Sequence, residues 1–378
     1  MAQLPPQIFR LLIVACLSFP LLGAAQALLG PYFSVFMQHY AVEQGEVSQV
    51  VSSQFTGIAL GMISSIAAFK YLRARKTLLS SAALMVVGLL GMAYSPTWTL
   101  LLLSAFVFGI AYGLHASCVN TLLSQHGVAA APVLNGVNAT FGVGSLLGPQ
   151  LIRLFETYGL PFVVLGALAV VVFFLSFQVQ EQELPPRPKA TPAGTLIAVI
   201  ACFSISSFAY VSAEVAPSNW VVTHLTGQYS VFWVGLIPSL YWGALALGRL
   251  ISAPISRMIR PSVLVILASL GATLMLLGTH NTALALYFYP LAGFCFAPIY
   301  PTLLAWLGEI LKERSQIFTP IVSMIGAFGP VVTAPLVGKV VEQSGAGGIP
   351  TSVTFLAGFL FLSLLVTWLT TRHHNRSI

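Results

Sequence analysis

The sequence predicts an all-α polytopic membrane protein, with twelve transmembrane helices arranged in two pseudo-symmetric six-helix bundles. Three observations support this fold class: the apolar composition, the number of separate apolar runs, and motifs that recur between the two halves. Hydrophobic residues make up 57% of the 378 residues and charged residues only 7%. Soluble domains carry about 25% charged residues, so a soluble protein of this length could not cover its surface with so few charges.

The predicted spans are runs of about 20 apolar residues that charges or turn residues interrupt. In the first half they lie near 10–37, 47–69, 77–95, 98–124, 132–155 and 160–179. In the second half they lie near 194–224, 229–256, 262–279, 282–310, 317–340 and 351–371. One connection is long, charged and rich in proline. It predicts a cytoplasmic linker at 181–193 between an N-terminal bundle, 1–180, and a C-terminal bundle, 194–378.

The first span begins like a secretory signal peptide, because Arg10 precedes an apolar stretch that ends in Ala25-Gln26-Ala27. However, apolar residues continue through Phe36. This gives about 27 residues, enough to cross the hydrocarbon core with some tilt. We therefore expect the segment to remain in the protein as its first membrane span.

The distribution of Lys and Arg predicts the orientation in the membrane, since basic residues favour short cytoplasmic loops. With the N-terminus inside, fourteen of the sixteen basic residues fall at cytoplasmic ends of spans, and Arg153 and Lys339 lie at outer ends. The formal net charge of +7 is thus explained by topology and requires no nucleic-acid partner. We expect a multi-pass protein of a bacterial inner (plasma) membrane, with both termini in the cytoplasm.

The two halves of the chain repeat each other at offsets of 184–187 residues. The corresponding motifs are 57–61 with 243–248, 144–149 with 329–335, and Gly109 with Gly293. A parallel repeat of two six-span bundles is a transporter layout in which the substrate is held between the bundles near the middle of the membrane.

Three stretches also resemble a known transporter family, and the stretch 293–302 shows a weaker similarity to it. They are 108–120 (FGIAYGLHASCVN), 134–149 (LNGVNATFGVGSLLGP) and 239–249 (SLYWGALALGR). These stretches resemble the fucose–proton symporter branch of the major facilitator superfamily, together with its sodium-dependent glucose transporter relatives. The resemblance implies the twelve-helix major facilitator fold and transport of a sugar or sugar-like metabolite, coupled to protons or sodium.

The sequence departs from the superfamily pattern in the loop between the second and third spans. The usual motif there is Gly-x-Leu-x-Asp-Arg-x-Gly-Arg-Lys, and the window 67–76 keeps its final Arg75 and Lys76. Tyr71 stands where the motif has its acidic residue, so the resemblance does not imply an acidic-to-basic latch. We expect Arg75 and Lys76 to take part in gating.

The symporters of the branch also carry membrane-embedded carboxylates that this sequence lacks. In the fourth span His115 holds the place, five residues before Asn120, where those proteins tend to carry a carboxylate. In the first span Gln26 is the nearest polar group to their acidic residue. Proton coupling by a carboxylate in the first half is therefore not implied.

Glu214 is the acidic residue that lies well inside a predicted span, where a charge costs roughly 2.5–3.5 kcal/mol on insertion scales. It shares one helical stripe of the seventh span with Ser207 and Tyr210. Such a group is a candidate proton carrier or cation ligand. The alternative is that Pro217 ends the helix early and leaves Glu214 at the wet outer end of the span.

His115 lies near the middle of the fourth span and is a second candidate for cation coupling. It could bind the solute or titrate during the transport cycle. The structural alternative is that it bridges two helices, because Gly113 nearby allows a close approach.

Several side chains fit a sugar-like ligand, whose hydroxyls pair with amides and whose flat faces pack on aromatic rings. The candidate solute-binding residues are Gln26, His115, Asn138, Tyr241, Trp242 and Tyr300. Each alone is more often a helix-packing residue, so the prediction depends on their convergence in the folded protein.

Charged residues at the cytoplasmic ends of the C-terminal spans are candidates for gating or topology rather than for solute binding. Arg249, Arg257 and Arg260 are expected to reach lipid phosphates or to brace loops. Glu309 and the charged residues 312–314 are expected to form a network at an inner gate.

The sequence contains no phosphate-binding Gly-Lys-Ser/Thr loop, no HExxH motif and no Cys/His cluster with zinc spacing, and its four Cys are isolated in apolar runs. We therefore expect no enzyme activity, no metal site and no cofactor besides a coupling ion, either a proton or sodium. The expected partners are a small-molecule substrate and the lipid bilayer, and we expect a monomer.

The preferred functional hypothesis is a secondary active transporter that moves a small polar organic solute by alternating access, driven by a cation. A second hypothesis is proton-driven export of drug-like or amphipathic metabolites, which an apolar cavity with one carboxylate would suit equally well. A hypothesis of a different class is a non-transporting nutrient sensor or a lipid-handling protein on the same scaffold.

Overall fold

The computed structural model describes residues 6–124, 130–155, 157–181, 194–256 and 258–376. The chain divides into an N-terminal unit, Met1–Val42 with Val47–Pro186, and a C-terminal unit, Glu43–Glu46 with Arg187–Ile378. The predicted linker 181–193 lies outside the described residues except for Glu181, so its limits stay a prediction.

In the N-terminal unit, the described helices form six spans, two of which are broken. The helices are α1 (Pro6–Leu28), α2 (Phe33–Tyr40), α3 (Gln49–Tyr71), α4 (Ala74–Tyr94), α5 (Trp98–Ser124), α6 (Ala130–Leu147), α7 (Gln150–Leu154) and α8 (Leu160–Ser176). Pro31 lies between α1 and α2, and Pro149 between α6 and α7. Proline lacks a backbone N–H and clashes with the preceding turn, so each of these two spans consists of two helices.

In the C-terminal unit, the described helices again form six spans. The helices are α9 (Gly194–Leu225), α10 (Val231–Ile255), α11 (Pro261–Gly278), α12 (Thr282–Phe296), α13 (Ile299–Leu311), α14 (Ser315–Ser344) and α15 (Gly348–Arg376). Pro298 separates α12 from α13 within one span. Eight described stretches are long and apolar enough to cross a membrane, and one of them, 317–372, covers most of both α14 and α15. The predicted all-α membrane fold with twelve spans is confirmed.

The two units use the same helix pairs, which extends the sequence repeat to the level of packing. In the N-terminal unit α1 packs on α6 and α8, α4 packs on α5 and α8, and α3 packs on α5. In the C-terminal unit the equivalent pairs are α9 with α14 and α15, α11 with α12 and α15, and α10 with α12. Each unit is therefore built on the same internal plan.

Small residues allow α3 and α5 of the N-terminal unit to pack closely. Gly57 and Gly61 of α3 face Gly109 and Gly113 of α5, one turn apart on each helix. A methyl group added at Gly109 would overlap the backbone of α3 at Gln54 and at Gly57. Such close backbone approach is how membrane helices gain van der Waals contact, because lipid supplies no hydrophobic driving force between them.

We predict that Gly109→Ala lowers the thermal stability of the purified protein by about 1–3 kcal/mol, because the added methyl must push α3 and α5 apart. The matched control is Gly136→Ala in α6, where a new Cβ meets open space. Alanine there should leave stability unchanged or slightly higher, since it favours the helix over glycine. Thermal unfolding in detergent measures both, and equal melting temperatures for the two variants would contradict this packing role.

Candidate functional site

The acidic residue of the seventh span is buried inside the C-terminal unit. Helix α9 continues through Pro217 to Leu225, so the alternative in which this proline ends the helix is wrong. Glu214 is only 8% exposed. A carboxyl group in such a place needs hydrogen-bonding or charged partners.

Three side chains surround Glu214. The Tyr210 hydroxyl, one turn earlier on α9, donates to Oε1 of Glu214 over 2.5 Å. Nη2 of Arg249, on α10, lies 3.3 Å from the same oxygen and forms an ion pair with it. The Tyr241 hydroxyl donates to the backbone carbonyl of Glu214 over 2.7 Å. Tyr241 and Arg249 are eight residues apart, close to two helical turns, so both project from the same face of α10 toward α9.

Arg249 is the partner that the sequence analysis missed. We placed it among basic residues that reach lipid phosphates or brace loops, whereas the structure directs its guanidinium to Glu214, with one third of the side chain exposed. One signal was present in the sequence. An acidic group inside a span requires a partner, and Arg249, directly after a glycine of the eighth span, is a basic residue within the span that follows that of Glu214. The distance between the two helices could not be read from that pattern.

Aromatic rings extend the cluster on the side of Tyr210. Tyr300, at the start of α13, stacks on Tyr210 with ring centroids 5.4 Å apart and an angle of 22° between the rings. The Tyr300 hydroxyl also forms a hydrogen bond with Ser323. Trp242 is buried and lies edge-on to Tyr241. Three of the predicted solute-binding residues of this unit thus lie in or beside the Glu214 cluster.

His115 lies between two helices of the N-terminal unit. It is fully buried, and its Nδ1 lies 2.9 Å from the Ser81 hydroxyl of α4. This hydrogen bond joins α5 to α4, which pack on each other along their lengths. Of the hypotheses for His115, the helix bridge is the one that these contacts favour.

The two amide candidates have different surroundings. Gln26 is half-buried in α1. Asn138 is exposed on α6, and its Nδ2 donates to the carbonyl of Leu134 in the preceding turn over 2.8 Å. Ser145, on the stripe of Asn138, is buried and packs against Gly23 of α1. The described contacts do not bring either amide to His115, so the predicted convergence in this unit stays a prediction.

Arg75 of the N-terminal unit forms an ion pair, as a latch would require, but its carboxylate partner lies outside the window 67–76 that corresponds to the superfamily motif. Nε of Arg75 lies 3.5 Å from Oε2 of Glu181, which follows α8. The backbone N–H of Arg75 also donates to Oε1 of Glu181 over 3.2 Å. Because Arg75 lies in the first turn of α4, the carboxylate also sits at the positive end of that helix dipole. Tyr71 stands in place of the acidic residue of the motif, and Glu181 instead provides the carboxylate that pairs with Arg75.

The remaining gating candidates are exposed. Lys76 and Glu309 are both exposed, and so are Lys312 and Arg314. The side chain of Glu313 lies outside the described residues. The ion pairs among the described side chains are Arg75 with Glu181 and Arg249 with Glu214. Neither pair includes Glu309 or a residue of 312–314, so the inner gate network stays a prediction. Among the side chains that the structure describes, no group of three or more His, Cys or Glu could hold a metal ion.

We predict that Arg249→Gln destabilises the protein by about 3 kcal/mol, because it leaves a buried carboxylate without its cation. Combining it with Glu214→Gln should restore part of that loss, since neither charge then remains. Thermal unfolding of both single variants and the double variant measures the coupling. Arg260→Gln, at an exposed position that begins α11, is the control. Additive losses in the double variant would show that the pair does not matter for stability.

We predict that His115→Ala and Ser81→Ala each lower stability by about 1–3 kcal/mol. Ser81→Ala leaves Nδ1 of the buried His115 without its partner. His115→Ala leaves a cavity in place of a buried ring, while the Ser81 hydroxyl keeps its hydrogen bond to the carbonyl of Leu78. The double variant should be no worse than the poorer single variant. Melting temperature is the first readout and solute-induced stabilisation the second. A His115→Ala protein that melts like the wild type but no longer responds to solute would overturn the helix-bridge assignment.

Comparison with known proteins agrees with the helical architecture. The sequence model of the Major Facilitator Superfamily matches residues 15–319. Protein TsgA of Shigella flexneri is 22% identical over 387 residues, which cover 97% of each chain.

Two solved structures share the fold at low identity. The crystal structure of a D-xylose-proton symporter superposes with a TM-score of 0.80 at 15% identity, covering 96% of this chain and 97% of that one. The crystal structure of the nucleoside transporter NupG superposes with a TM-score of 0.74 at 16% identity, covering 97% of this chain and 99% of that one.

Proposed function

Since the chain belongs to the major facilitator superfamily, we propose that it is a secondary active transporter that moves a small polar, sugar-like solute by alternating access, driven by a proton or a sodium ion. Its location is the bacterial inner membrane, with both termini in the cytoplasm. The protein acts as a monomer, and its chemistry is binding and release of solute and cation rather than catalysis.

The observation that carries the proposal is the ion pair between the buried Glu214 and the partly exposed Arg249. Two charges inside a membrane protein are costly, and replacing such a pair by apolar residues often stabilises a protein. A stability role alone is therefore a weak reason for its presence. A carboxylate that exchanges one positive partner for another is the element that a cation-coupled cycle needs.

In the proposed cycle, Glu214 binds the coupling cation as the alternative to Arg249. When a proton or sodium ion occupies the carboxylate, the attraction to Nη2 of Arg249 falls, and the guanidinium becomes available to the solute. Tyr210 and Tyr241 stay hydrogen-bonded to Glu214 and keep it in place. Release of the cation on the opposite side restores the ion pair and expels the solute.

The solute class follows from the side chains next to this pair. Tyr300 offers a half-buried ring that suits the flat face of a sugar, and its hydroxyl and Arg249 offer polar groups. Arginine donates several hydrogen bonds in a fixed plane, as neighbouring hydroxyls of a sugar require. Two of the structural neighbours are a D-xylose-proton symporter and a nucleoside transporter; D-xylose is a pentose, and nucleosides contain one.

A transport assay on purified protein in vesicles tests the proposal. A stabilising solute is first identified by thermal unfolding with D-xylose, L-fucose, D-glucose and uridine at pH 5.5 and 8, with and without sodium, since a ligand of the folded state raises the melting temperature. We predict that Glu214→Gln abolishes accumulation of that solute against its gradient while counterflow of labelled solute continues. Neutral glutamine keeps the hydrogen bond from Tyr210 but cannot carry the cation.

The matched control is Glu342→Gln, an exposed acidic residue on α14, which should accumulate solute like the wild type. Wild-type accumulation by the Glu214→Gln variant would contradict the coupling role of Glu214. Stabilisation by none of the four solutes, but by amphipathic cations, would contradict the sugar-like solute and favour the export hypothesis.

A further inference from the structure

The C-terminal unit carries an apolar groove that the transport cycle does not use. It has a volume of about 810 Å³ and is lined by α9, α14 and α15. Helix α9 contributes a stripe from Ile197 to Phe208, α14 contributes a stripe from Phe318 to Ile325, and Phe359 lies on the side of α15. Among the lining residues that the structure describes, Ser204 is the single polar side chain.

The groove lies beside the place where α14 packs tightly on α9. Gly326 and Gly329 seat α14 tightly on α9, since a Cβ at Gly326 would meet Ser207 and one at Gly329 would meet Phe208 and Ser212. Before these glycines, α14 contributes the large side chains of Phe318, Ile321 and Ile325 to the groove lining. The groove therefore lies between the glycine contact and the end where α14 begins.

The groove wall is exposed although it is apolar. Ile197 is 56% exposed, Ile205 49% and Phe359 39%. In a membrane protein such a surface faces acyl chains rather than water, so the natural occupant of the groove is a hydrocarbon chain.

The length of the groove matches one leaflet. The lining advances eleven residues along α9, from Ile197 to Phe208, which is about 16 Å at the rise of an α-helix, and seven residues along α14, from Phe318 to Ile325, which is about 10 Å. The hydrocarbon core is about 30 Å thick, so half of it is about 15 Å. A chain lying along the groove would therefore extend from the membrane interface to near the midplane.

Positive charge lies at the end of the groove where α14 begins. Arg314 is exposed and precedes Phe318 by four residues, and its backbone is already helical, so the two side chains share one face of α14. Lys312 is exposed beside it. At the same end of α15 the guanidinium of Arg372 lies 4.2 Å above the ring of Trp368, a pairing typical of the membrane interface. Glu313 lies between Lys312 and Arg314 in the sequence, and its side chain is outside the described residues, so the run 312–314 carries a formal charge of +1.

We propose that this groove binds one anionic phospholipid from the leaflet on the side of Arg314. One acyl chain lies along α9 between α14 and Phe359, and the phosphate is held by Arg314 and Lys312. The site lies on a different face of α9 from Glu214, and binding there involves no solute and no coupling ion.

Native mass spectrometry of the full-length protein released from nanodiscs tests the proposal. With phosphatidylglycerol nanodiscs the wild type should retain one lipid, and with phosphatidylcholine nanodiscs much less. Arg314→Gln should reduce the preference for phosphatidylglycerol roughly fivefold, as expected for one basic residue at the membrane surface. Ala201→Phe, which places a ring inside the groove, should remove the retained lipid for both headgroups.

Two controls separate the groove from general lipid contact. Leu274→Phe adds a ring at an exposed position of α11, and Lys339→Gln removes an exposed charge from the far end of α14. Both should retain lipid like the wild type. Thermal unfolding and gel filtration establish that Ala201→Phe is folded, and Arg314→Gln changes an exposed residue only. Equal retention of the two lipids by the wild type, or wild-type retention by both groove variants, would overturn the proposal.

Discussion

The absence of water in the hydrocarbon core is the constraint on which the rest of this structure depends. Every backbone N–H and C=O inside the membrane must be paired within the protein, which leaves helices as the building elements of this chain. The same constraint applies to side chains. Hydroxyls of the helices bond back to their own backbone, as Ser176 does to the carbonyl of Val172 and Thr333 to that of Gly329. The one described carboxylate deep in the C-terminal unit, Glu214, has its cation and two tyrosines beside it.

Close packing by small residues places those polar groups. Helices α3 and α5 meet through facing glycines, and α9 and α14 meet at Gly326 and Gly329, so that helix backbones come near enough for short side chains to reach across. Phe318 precedes these glycines on α14 and lines the apolar groove beside the contact. One helix, α9, thus carries an ion pair on one face and an apolar groove on another.

The fold and one residue of the candidate site, Glu214, could be predicted from the sequence. Hydrocarbon thickness fixes the length of an apolar run, so the twelve spans could be read directly, and the three proline breaks fall inside predicted spans. Glu214 was identified because a lone carboxylate inside a span is rare. Its partner was not, because Arg249 lies on the next helix and its charge alone also fits a residue at the membrane surface. The role of Glu181 was not predicted for a similar reason, since its partner Arg75 lies 106 positions away in the chain.

By itself, then, the sequence determined the class of protein, its repeat and the acidic centre, because these depend on run length, motif offsets and residue type, all of which can be read along the chain without knowing which helices pack together. Tertiary structure alone decided which groups meet. It placed His115 against Ser81, which favours a helix bridge over solute binding, and directed Arg249 to Glu214 instead of to lipid. Contacts of this kind depend on how closely two helices approach and on which faces they turn to each other. These are properties of packed pairs, and neither helix of a pair carries that information in its own sequence.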